Sequence, residues 1–535
     1  MTTASRLEDA VRQVLGEEAR LRDAQREALT ELQDRDTLLV ARSGAGKTAV
    51  FAVATLLARR LTLVVSPTLS LQRDHVESLA EAGLRAASVS SARTARQQRD
   101  ALEAAASGGL DVLLLAPEQL VRPEVVDTLA GAGVGLLVVD EAHCVSEWGH
   151  DFRPDYLHVP AAAARLGAPR VLATTATASA SVRQDVVERL ALTDPAVVVH
   201  DVDRPNIHLA ARDVADDASR DAAVVQQAVD AEGAVIVYAQ TRAHVDALAE
   251  AITAAGRPAL RYHAGMRARD RDEAQDAFMG GTADLVVATS AFGMGVDRAD
   301  VRLVLHAGPS PSLDAYYQEV GRAGRDGEPA AAVLFHRAED FAVSRYLRGG
   351  GAPKETVLRT VAAAVRKAPA DRAEVVRRTG LGARTVSRAL GALVQAGAVD
   401  EQDGPRWVRG QRLDAVLRRV RENHETRRRV DLSRVEMVRT YADTLDCRRR
   451  VLLELLGEVQ PDPCGRCDRC DEGTSRSAGD GPYRLGQAVV HPEWGAGTVT
   501  LVEDGRVTVL FEEHGYRTLA VDLVAESGIL AVAAA

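Results

Sequence analysis

Gly135-Leu136-Leu137-Val138-Val139-Asp140-Glu141-Ala142-His143-Cys144 is an apolar run that ends on two adjacent carboxylates. Such a run reads as a strand buried on both faces, delivering its acids to the carboxyl edge of a parallel sheet. The chain continues Val145-Ser146-Glu147-Trp148-Gly149-His150-Asp151-Phe152-Arg153-Pro154. Aromatic residues make up only 4% of the chain, yet Trp148 and Phe152 stand here with His150 and Arg153. An acidic pair suited to a metal ion and a water therefore adjoins a loop suited to stacking on unpaired bases.

The stretch upstream gives the acids their purpose. Thr37-Leu38-Leu39-Val40 reads as a strand, Ala49 to Arg59 as a helix, and Ala41-Arg42-Ser43-Gly44-Ala45-Gly46-Lys47-Thr48 lies between them. This is a phosphate-binding loop, with Ala41 where the strict pattern has glycine. Backbone N–H groups of Ser43, Gly44, Ala45 and Gly46 approach phosphates, Lys47 neutralises the β- and γ-phosphates, and the Thr48 hydroxyl binds Mg²⁺. Asp140 is then the expected Mg²⁺ carboxylate, and Glu141 the group that polarises the attacking water. An isolated Asp-Glu would be a helix cap followed by a surface acid; the loop upstream decides against that.

Outward from this centre, apolar runs alternate with helical stretches: Leu61–Val65, Asp111–Leu115, Gly135–Val139 and Arg170–Ala173. That alternation predicts a parallel sheet covered by helices over residues 1–203. After Asp203-Arg204-Pro205-Asn206 the pattern restarts, with strands expected at Ala234–Tyr238, Asp284–Ala288, Val301–Leu305 and Ala331–Phe335. This second α/β lobe, 204–345, has no phosphate loop. It carries Ser290-Ala291-Phe292-Gly293-Met294-Gly295-Val296-Asp297 and Tyr317-Gln318-Glu319-Val320-Gly321-Arg322-Ala323-Gly324-Arg325. Arg322 and Arg325, flanked by glycines, can reach a phosphate and make hydrolysis depend on lobe closure.

The 535 residues are too many for one core, and the composition is that of a soluble globular protein, 46% hydrophobic and 27% charged. No apolar run is long enough to span a membrane, and the first residues have no apolar signal core. Five cysteines in a chain of this length point to a reducing, cytoplasmic compartment. The net charge is −10, but residues 345–450 hold 25 Lys and Arg against 13 Asp and Glu. That block carries +12 and the remainder −22, a footprint fitting either a phosphate backbone or a solvated arginine-rich surface.

The set Leu21–Gln25, Ala41–Thr48, Asp140-Glu141-Ala142-His143, Thr175-Ala176-Thr177 and Gln318–Arg325 resembles superfamily 2 helicases. The extension from His143 through Trp148-Gly149-His150-Asp151-Phe152-Arg153-Pro154 to Tyr156 is similar to the RecQ family in particular. The resemblance covers about residues 5–345. It implies an ATP- and Mg²⁺-dependent 3′→5′ DNA helicase acting on single-stranded and branched DNA in repair and recombination. It further implies that Arg22 and Gln25 read adenine, that Asp297 and Gln318 join the nucleotide site, and that Trp148, His150, Phe152 and Arg153 couple DNA to hydrolysis.

Residues 346–412 read as helix, glycine turn, helix and hairpin around Asp403-Gly404, a winged helix. Arg384 and Arg388 on its second helix favour DNA, and Trp407 is the hairpin's candidate for strand separation. Cys447, Cys464, Cys467 and Cys470 in 413–472 can enclose a structural Zn²⁺, with disulfides as the competing use. This spacing also resembles the RecQ zinc module, and the adjacent Arg448-Arg449-Arg450 are expected to face phosphate. Residues 473–482 have linker composition. The tail, 483–535, alternates as a small antiparallel SH3/Tudor-like barrel. His491-Pro492-Glu493-Trp494-Gly495-Ala496-Gly497 is similar to the Tudor-like tails of UvrD/PcrA-type helicases, which implies a protein partner such as RNA polymerase or a repair protein. The fold expected is thus α/β with two RecA-like lobes and three smaller modules, in a cytoplasmic, nucleoid-associated protein. The competing functions are a DNA-stimulated translocase that does not separate strands and a winged-helix DNA-binding regulator with a vestigial ATPase.

Overall fold

The computed structural model describes residues 3–533 apart from 43, 91–92, 147–152, 177, 201, 294–295, 343–351, 368–370, 401–403, 461, 476–481 and 504. The first lobe is one parallel sheet. Its strands are β1 (Thr37–Ala41), β2 (Thr62–Val65), β3 (Ala86–Val89), β4 (Val112–Leu115), β5 (Leu136–Val139), β6 (Arg170–Thr175) and β7 (Ala196–His200), in the order β3-β4-β2-β5-β6-β1-β7. The interior strands β2, β4 and β5 are buried at every position, because helices cover both faces. Each fully buried Leu or Val contributes about 1.5–3 kcal/mol relative to exposure. The register pairs Val65 with Val139 and Val139 with Ala173, so Ser66, Asp140 and Thr174 emerge side by side at the carboxyl edge.

The second lobe repeats the plan. Strands β8 (Ile207–Asp213), β9 (Ala234–Ala239), β10 (Leu260–Tyr262), β11 (Leu285–Ala288), β12 (Val301–Ala307) and β13 (Ala330–His336) are all parallel, in the order β10-β11-β9-β12-β13-β8. The helix Leu313–Val320 follows β12, with Ser312 as its N-cap accepting from the Ala315 N–H at 3.2 Å. It ends one residue before the Gly321-Arg322 turn.

Helices Glu355–Lys367, Arg372–Thr379 and Ala383–Gln395 and the two-residue ladder of β14 (Val399–Asp400) and β15 (Arg406–Trp407) form the winged-helix body. A 31-residue helix, Leu413–Asp443, then runs about 46 Å. Val416, Leu417 and Val420 at its start complete the winged-helix core. Val435, Met437, Val438 and Tyr441 at its end join the core of the second lobe, where Tyr316 and Tyr441 share a hydrogen bond at 3.0 Å.

The C-terminal module is a five-stranded antiparallel sheet of β16 (Ala488–His491), β17 (Gly495–Glu503), β18 (Arg506–Phe511), β19 (Gly515–Ala520) and β20 (Ala531–Val532), ordered β19-β18-β17-β16-β20. It docks on the long helix. The Glu513 carbonyl accepts from Arg429 Nε at 3.3 Å, and Glu503 accepts from the Thr444 hydroxyl. Gly515, at φ +69°, lies so close to Ser433 that a Cβ there would stand 2.1 Å from the serine Oγ. Among the described residues no helix is long and apolar enough to cross a membrane.

Candidate functional site

The phosphate loop follows β1, and the acidic pair follows β5, with β6 between them. Gly44 and Gly46 hold φ near +79° and +78°, which lets the loop present N–H groups at the start of the helix Lys47–Ala58. Lys47 Nζ donates to the Ala41 carbonyl at 3.4 Å, across the mouth of the loop. Gln25 is buried. It accepts from Arg22 N at 2.9 Å and donates to the carbonyls of Ala45 at 3.0 Å and Gly46 at 3.3 Å. Arg22 is exposed and reaches the Gly44 carbonyl at 2.9 Å. The two residues expected to read adenine thus brace the phosphate loop. Ser43 lies outside the described residues.

Asp140 is 3% exposed and fully engaged. Its Oδ1 accepts from Thr174 at 2.9 Å, and its Oδ2 lies 3.4 Å from Ser66 Oγ and 3.0 Å from His75 Nε2. The other ring nitrogen of His75 is 3.2 Å from Thr48 Oγ1. Thr48 and Asp140, the expected Mg²⁺ residues, are therefore connected through one imidazole. Glu141 sits at φ +48°, a left-handed conformation that costs a non-glycine residue of order 1–3 kcal/mol and is tolerated where the surroundings impose it. Its carboxylate is 3.2 Å from His143 Nδ1, which is also 3.0 Å from Thr175 Oγ1. Burial alone would push the His143 imidazole down, but Cys144 and the Glu141 carboxylate hold it well above its usual value.

The second lobe supplies cations. Arg322 is 3% exposed and donates to the Val296 carbonyl at 3.4 Å, while Arg325 pairs with Asp297. Gln318 is half-buried on the helix just before them. Arg204 donates to the carbonyls of Gly321 at 2.8 Å, Ala323 at 2.5 Å and Gly324 at 2.8 Å, latching the arginine turn. Burial, then the charges of Arg42 and Arg325, lower the Arg204 guanidinium to about 10. Arg42 of the phosphate loop is thus electrostatically close to the arginines of the second lobe. The buried Nε atoms of Arg42, Arg204, Arg322 and Arg325 lack hydrogen-bond partners. Such a cluster of desolvated cations fits a polyphosphate, and Thr48, Asp140 and Glu141 fit its cation and attacking water.

His75, Arg42 and Arg204 carried no role in the sequence reading. Only the register of β5 against β2 brings a helix histidine to Asp140. The sign that could have found Arg204 is the Asp-Arg-Pro-Asn tetrapeptide between lobes, where a cation precedes a chain direction fixed by proline.

Cys447, Cys464, Cys467 and Cys470 place their sulfurs within 4.8 Å of one another. The Cys464–Cys470 and Cys467–Cys470 separations are 3.9 and 3.5 Å, close to the edge of about 3.8 Å expected for a tetrahedron of Zn–S bonds. N–H groups of Cys464 and Arg466 point at Cys447 and Cys464 Sγ at 3.3 Å. Hydrogen bonds from the neighbouring thiols pull the Cys447 thiol far down toward thiolate. The four sulfurs therefore form a structural Zn²⁺ site rather than disulfides.

Arg448, Arg449 and Arg450 do not face phosphate. All three are at most 3% exposed. Arg448 Nε is 2.5 Å from Asp468, Arg449 is 3.0 Å from Asp203, and Arg450 pairs with Asp446 and Glu454. Arg448 and Arg450 pair within the zinc module, while Arg449 also donates to the Ile207 carbonyl and so ties the module to the second lobe, whose edge strand β8 also bridges Cys467 through Leu209. The +12 of residues 345–450 is accordingly less available to a ligand than the composition implies.

Trp148, His150 and Phe152 lie outside the described residues. Arg153 fastens the end of their loop, donating to the Pro67 carbonyl beside Ser66. Arg384 and Arg388 are exposed on the helix Ala383–Gln395. Arg388 stands near Arg427 and Arg428 of the long helix, and after burial these three lower the His424 imidazole. Trp407 is packed instead, beneath Arg366 at 4.7 Å and donating to the Gln411 carbonyl at 3.3 Å.

Comparison with known proteins bears on the whole arrangement. Residues 22–186 match the DEAD/DEAH box helicase family and 220–327 the helicase conserved C-terminal domain. Residues 408–471 match the RecQ zinc-binding domain, and 485–525 a family of unknown function, DUF3553. The chain is 30% identical over 439 residues to an ATP-dependent DNA helicase RecQ of Pasteurella multocida, covering 82% of this chain and 58% of that protein. It is 38% identical over 312 residues to a probable ATP-dependent DNA helicase RecS of Bacillus subtilis, covering 58% and 62%. It thus spans about three fifths of the length of these relatives. Among solved structures, the Mycobacterium smegmatis helicase Lhr bound to ssDNA and AMP-PNP superposes with a TM-score of 0.50 at 21% identity, over 77% of this chain and 59% of that one. The DUF1998 helicase MrfA bound to DNA does so at 0.54 and 15%, over 79% and 61%. These two likenesses show the fold.

Proposed function

Because the chain belongs to the RecQ family of superfamily 2 helicases, we propose that it is an ATP-dependent DNA helicase that translocates 3′→5′ on single-stranded DNA and unwinds duplex or branched DNA in repair and recombination. The observation that carries this reading is the split site. Lys47, Thr48, Asp140 and Glu141 stand on one lobe, and Arg322 and Arg325, with unpartnered buried Nε atoms, stand on the other. ATP binds between them. Thr48 and Asp140 would hold Mg²⁺, which would supply neutralisation of the phosphate charge. Lys47 exchanges the Ala41 carbonyl for the β- and γ-phosphates. Glu141 orients the attacking water and takes its proton, and His143 relays the position of Glu141 to Thr175. Arg325 leaves Asp297 for the γ-phosphate, and an arginine arriving this way is worth about 10³–10⁵ in rate. Arg204 transmits the movement to the lobe through the carbonyls it holds.

DNA enters along the carboxyl edges of the sheets. The Trp148–Arg153 loop stacks on bases, and its anchor at Pro67 adjoins Ser66, a partner of Asp140. Arg384 and Arg388 contact the duplex. The C-terminal sheet binds a protein partner, RNA polymerase or a repair protein, in a cytoplasmic, nucleoid-associated setting.

The packing of Trp407 under Arg366 favours a second reading, in which the enzyme hydrolyses ATP and translocates without separating strands. A panel of 3′-tailed, 5′-tailed, forked and blunt duplexes with labelled strands distinguishes the two. Strand release from 3′-tailed and forked substrates supports the helicase. Sustained ATP consumption with no release on any substrate refutes it.

A further inference from the structure

His75 touches both cation residues, and no step above uses it. Its Nε2 is 3.0 Å from Asp140 Oδ2 and its Nδ1 3.2 Å from Thr48 Oγ1. A carboxylate only accepts, so Nε2 carries a proton, and in the neutral ring Nδ1 presents a lone pair toward Thr48. The ring is held in this orientation. It is 9% exposed and lies edge-on to Phe51 at 5.3 Å, on the same helix as Thr48. One turn earlier on the His75 helix, Leu69–Glu81, Gln72 is buried and donates to the Ser66 carbonyl at 3.0 Å.

We propose that His75 Nδ1 directly ligates the nucleotide-bound divalent cation beside Thr48 Oγ1, shifting its preference from Mg²⁺ toward Mn²⁺ and other nitrogen-accepting ions. Neighbouring ligands of an octahedral cation with bonds of about 2.1 Å stand about 3.0 Å apart. The Thr48 Oγ1 to His75 Nδ1 separation of 3.2 Å has that spacing already. Asp140 stands behind the imidazole as carboxylates stand behind metal-bound histidines, fixing the tautomer and raising the donor strength of the free nitrogen. Both oxygens of Asp140 are engaged by Thr174, Ser66 and His75, so its own approach to the cation is through water. A nitrogen donor disfavours Mg²⁺, which takes oxygen ligands, relative to first-row transition ions.

This rests on the reading of Thr48 and Asp140 as the cation residues. The test is electron spin-echo envelope modulation on the full-length protein carrying Mn²⁺ and a non-hydrolysable ATP analogue. The expected result is the coupling of a directly bound imidazole nitrogen, altered when the protein is made with ¹⁵N-histidine, which needs no variant. In His75→Gln the coupling disappears, and the preference for Mn²⁺ over Mg²⁺ in supporting analogue binding falls on the order of tenfold. Analogue binding with Mn²⁺ but no nitrogen coupling, or a coupling unmoved by ¹⁵N-histidine, overturns the proposal. Analogue binding with neither cation overturns the ATP-site reading beneath it.

Discussion

Glu454 gives the protein a pH-dependent weakness in its zinc module. The residue lies on the helix Arg448–Leu455 and is 6% exposed. Burial raises its carboxyl from 4.5 to about 7; Arg450, at 3.4 Å, opposes the rise, while Asp446 and Glu503 add to it. The folded state therefore binds this proton more tightly than the unfolded state, and deprotonation costs stability. The penalty is absent below about pH 4.5, grows between 4.5 and 7, and is constant above. Its full size is about 3 kcal/mol, and by pH 5 only about 1 kcal/mol has appeared. Glu454→Gln keeps the shape and removes the charge. Urea unfolding of the zinc-loaded chain, followed at the transition of the second lobe, should show the variant more stable by up to about 3 kcal/mol at pH 8 and by about 1 kcal/mol at pH 5. A stability gap that does not change with pH, or a variant less stable at pH 8, refutes this reasoning. Glu503 belongs to the C-terminal sheet, so deleting 483–535 should narrow the gap.

Gly515→Ala places a Cβ 2.1 Å from Ser433 Oγ and 3.3 Å from Val430 Cα at a φ of +69°. The backbone alone costs about 1 kcal/mol, and hydrogen exchange around residues 429–433 should accelerate as the sheet undocks while its own strands stay protected. Zinc removal should release one ion per chain and destabilise the second lobe, because Cys447 and Cys467 belong to its core; a colorimetric zinc assay paired with thermal unfolding reads both. Trp148→Ala should reduce DNA stimulation of ATP hydrolysis roughly 5- to 150-fold, from about 1–3 kcal/mol of lost base stacking, while leaving ATP affinity within a factor of about two. Equal loss of both would make the loop a structural support.

The fold was most legible where strands are buried on both faces. Leu136–Val139 and Val112–Leu115 are continuous apolar runs, and the structure places both inside the first sheet, the former at its centre. Ala86–Val89, Leu260–Tyr262 and Ala196–His200 escaped because they are edge strands, short or partly exposed, with too little apolar contrast to stand out from a turn. The site followed the same rule. Lys47, Asp140 and Arg322 lie in local patterns whose spacing carries chemistry. His75 and Arg204 act through contacts of residues 65 and 117–120 positions away, which no local pattern encodes. Arg448–Arg450 misled because an arginine run looks alike whether it meets phosphate or protein carboxylates; Asp446 is only one turn from Arg450, but Asp468 and Asp203 lie far along the chain from Arg448 and Arg449.

The 31-residue helix has a mechanical consequence. Tyr316, on the helix that leads to Arg322, touches its C-terminal end at Tyr441, and the winged-helix core is built on its other end. Over about 46 Å, a tilt of about 5° at the tyrosine pair sweeps the far end through about 4 Å, more than the rise of one base pair. On the proposed mechanism, a small adjustment passed from Arg322 to the tyrosine pair would reach the winged-helix module magnified along one unbroken helix. The helix would then work as an indicator needle, with stiffness, rather than flexibility, the property on which coupling depends.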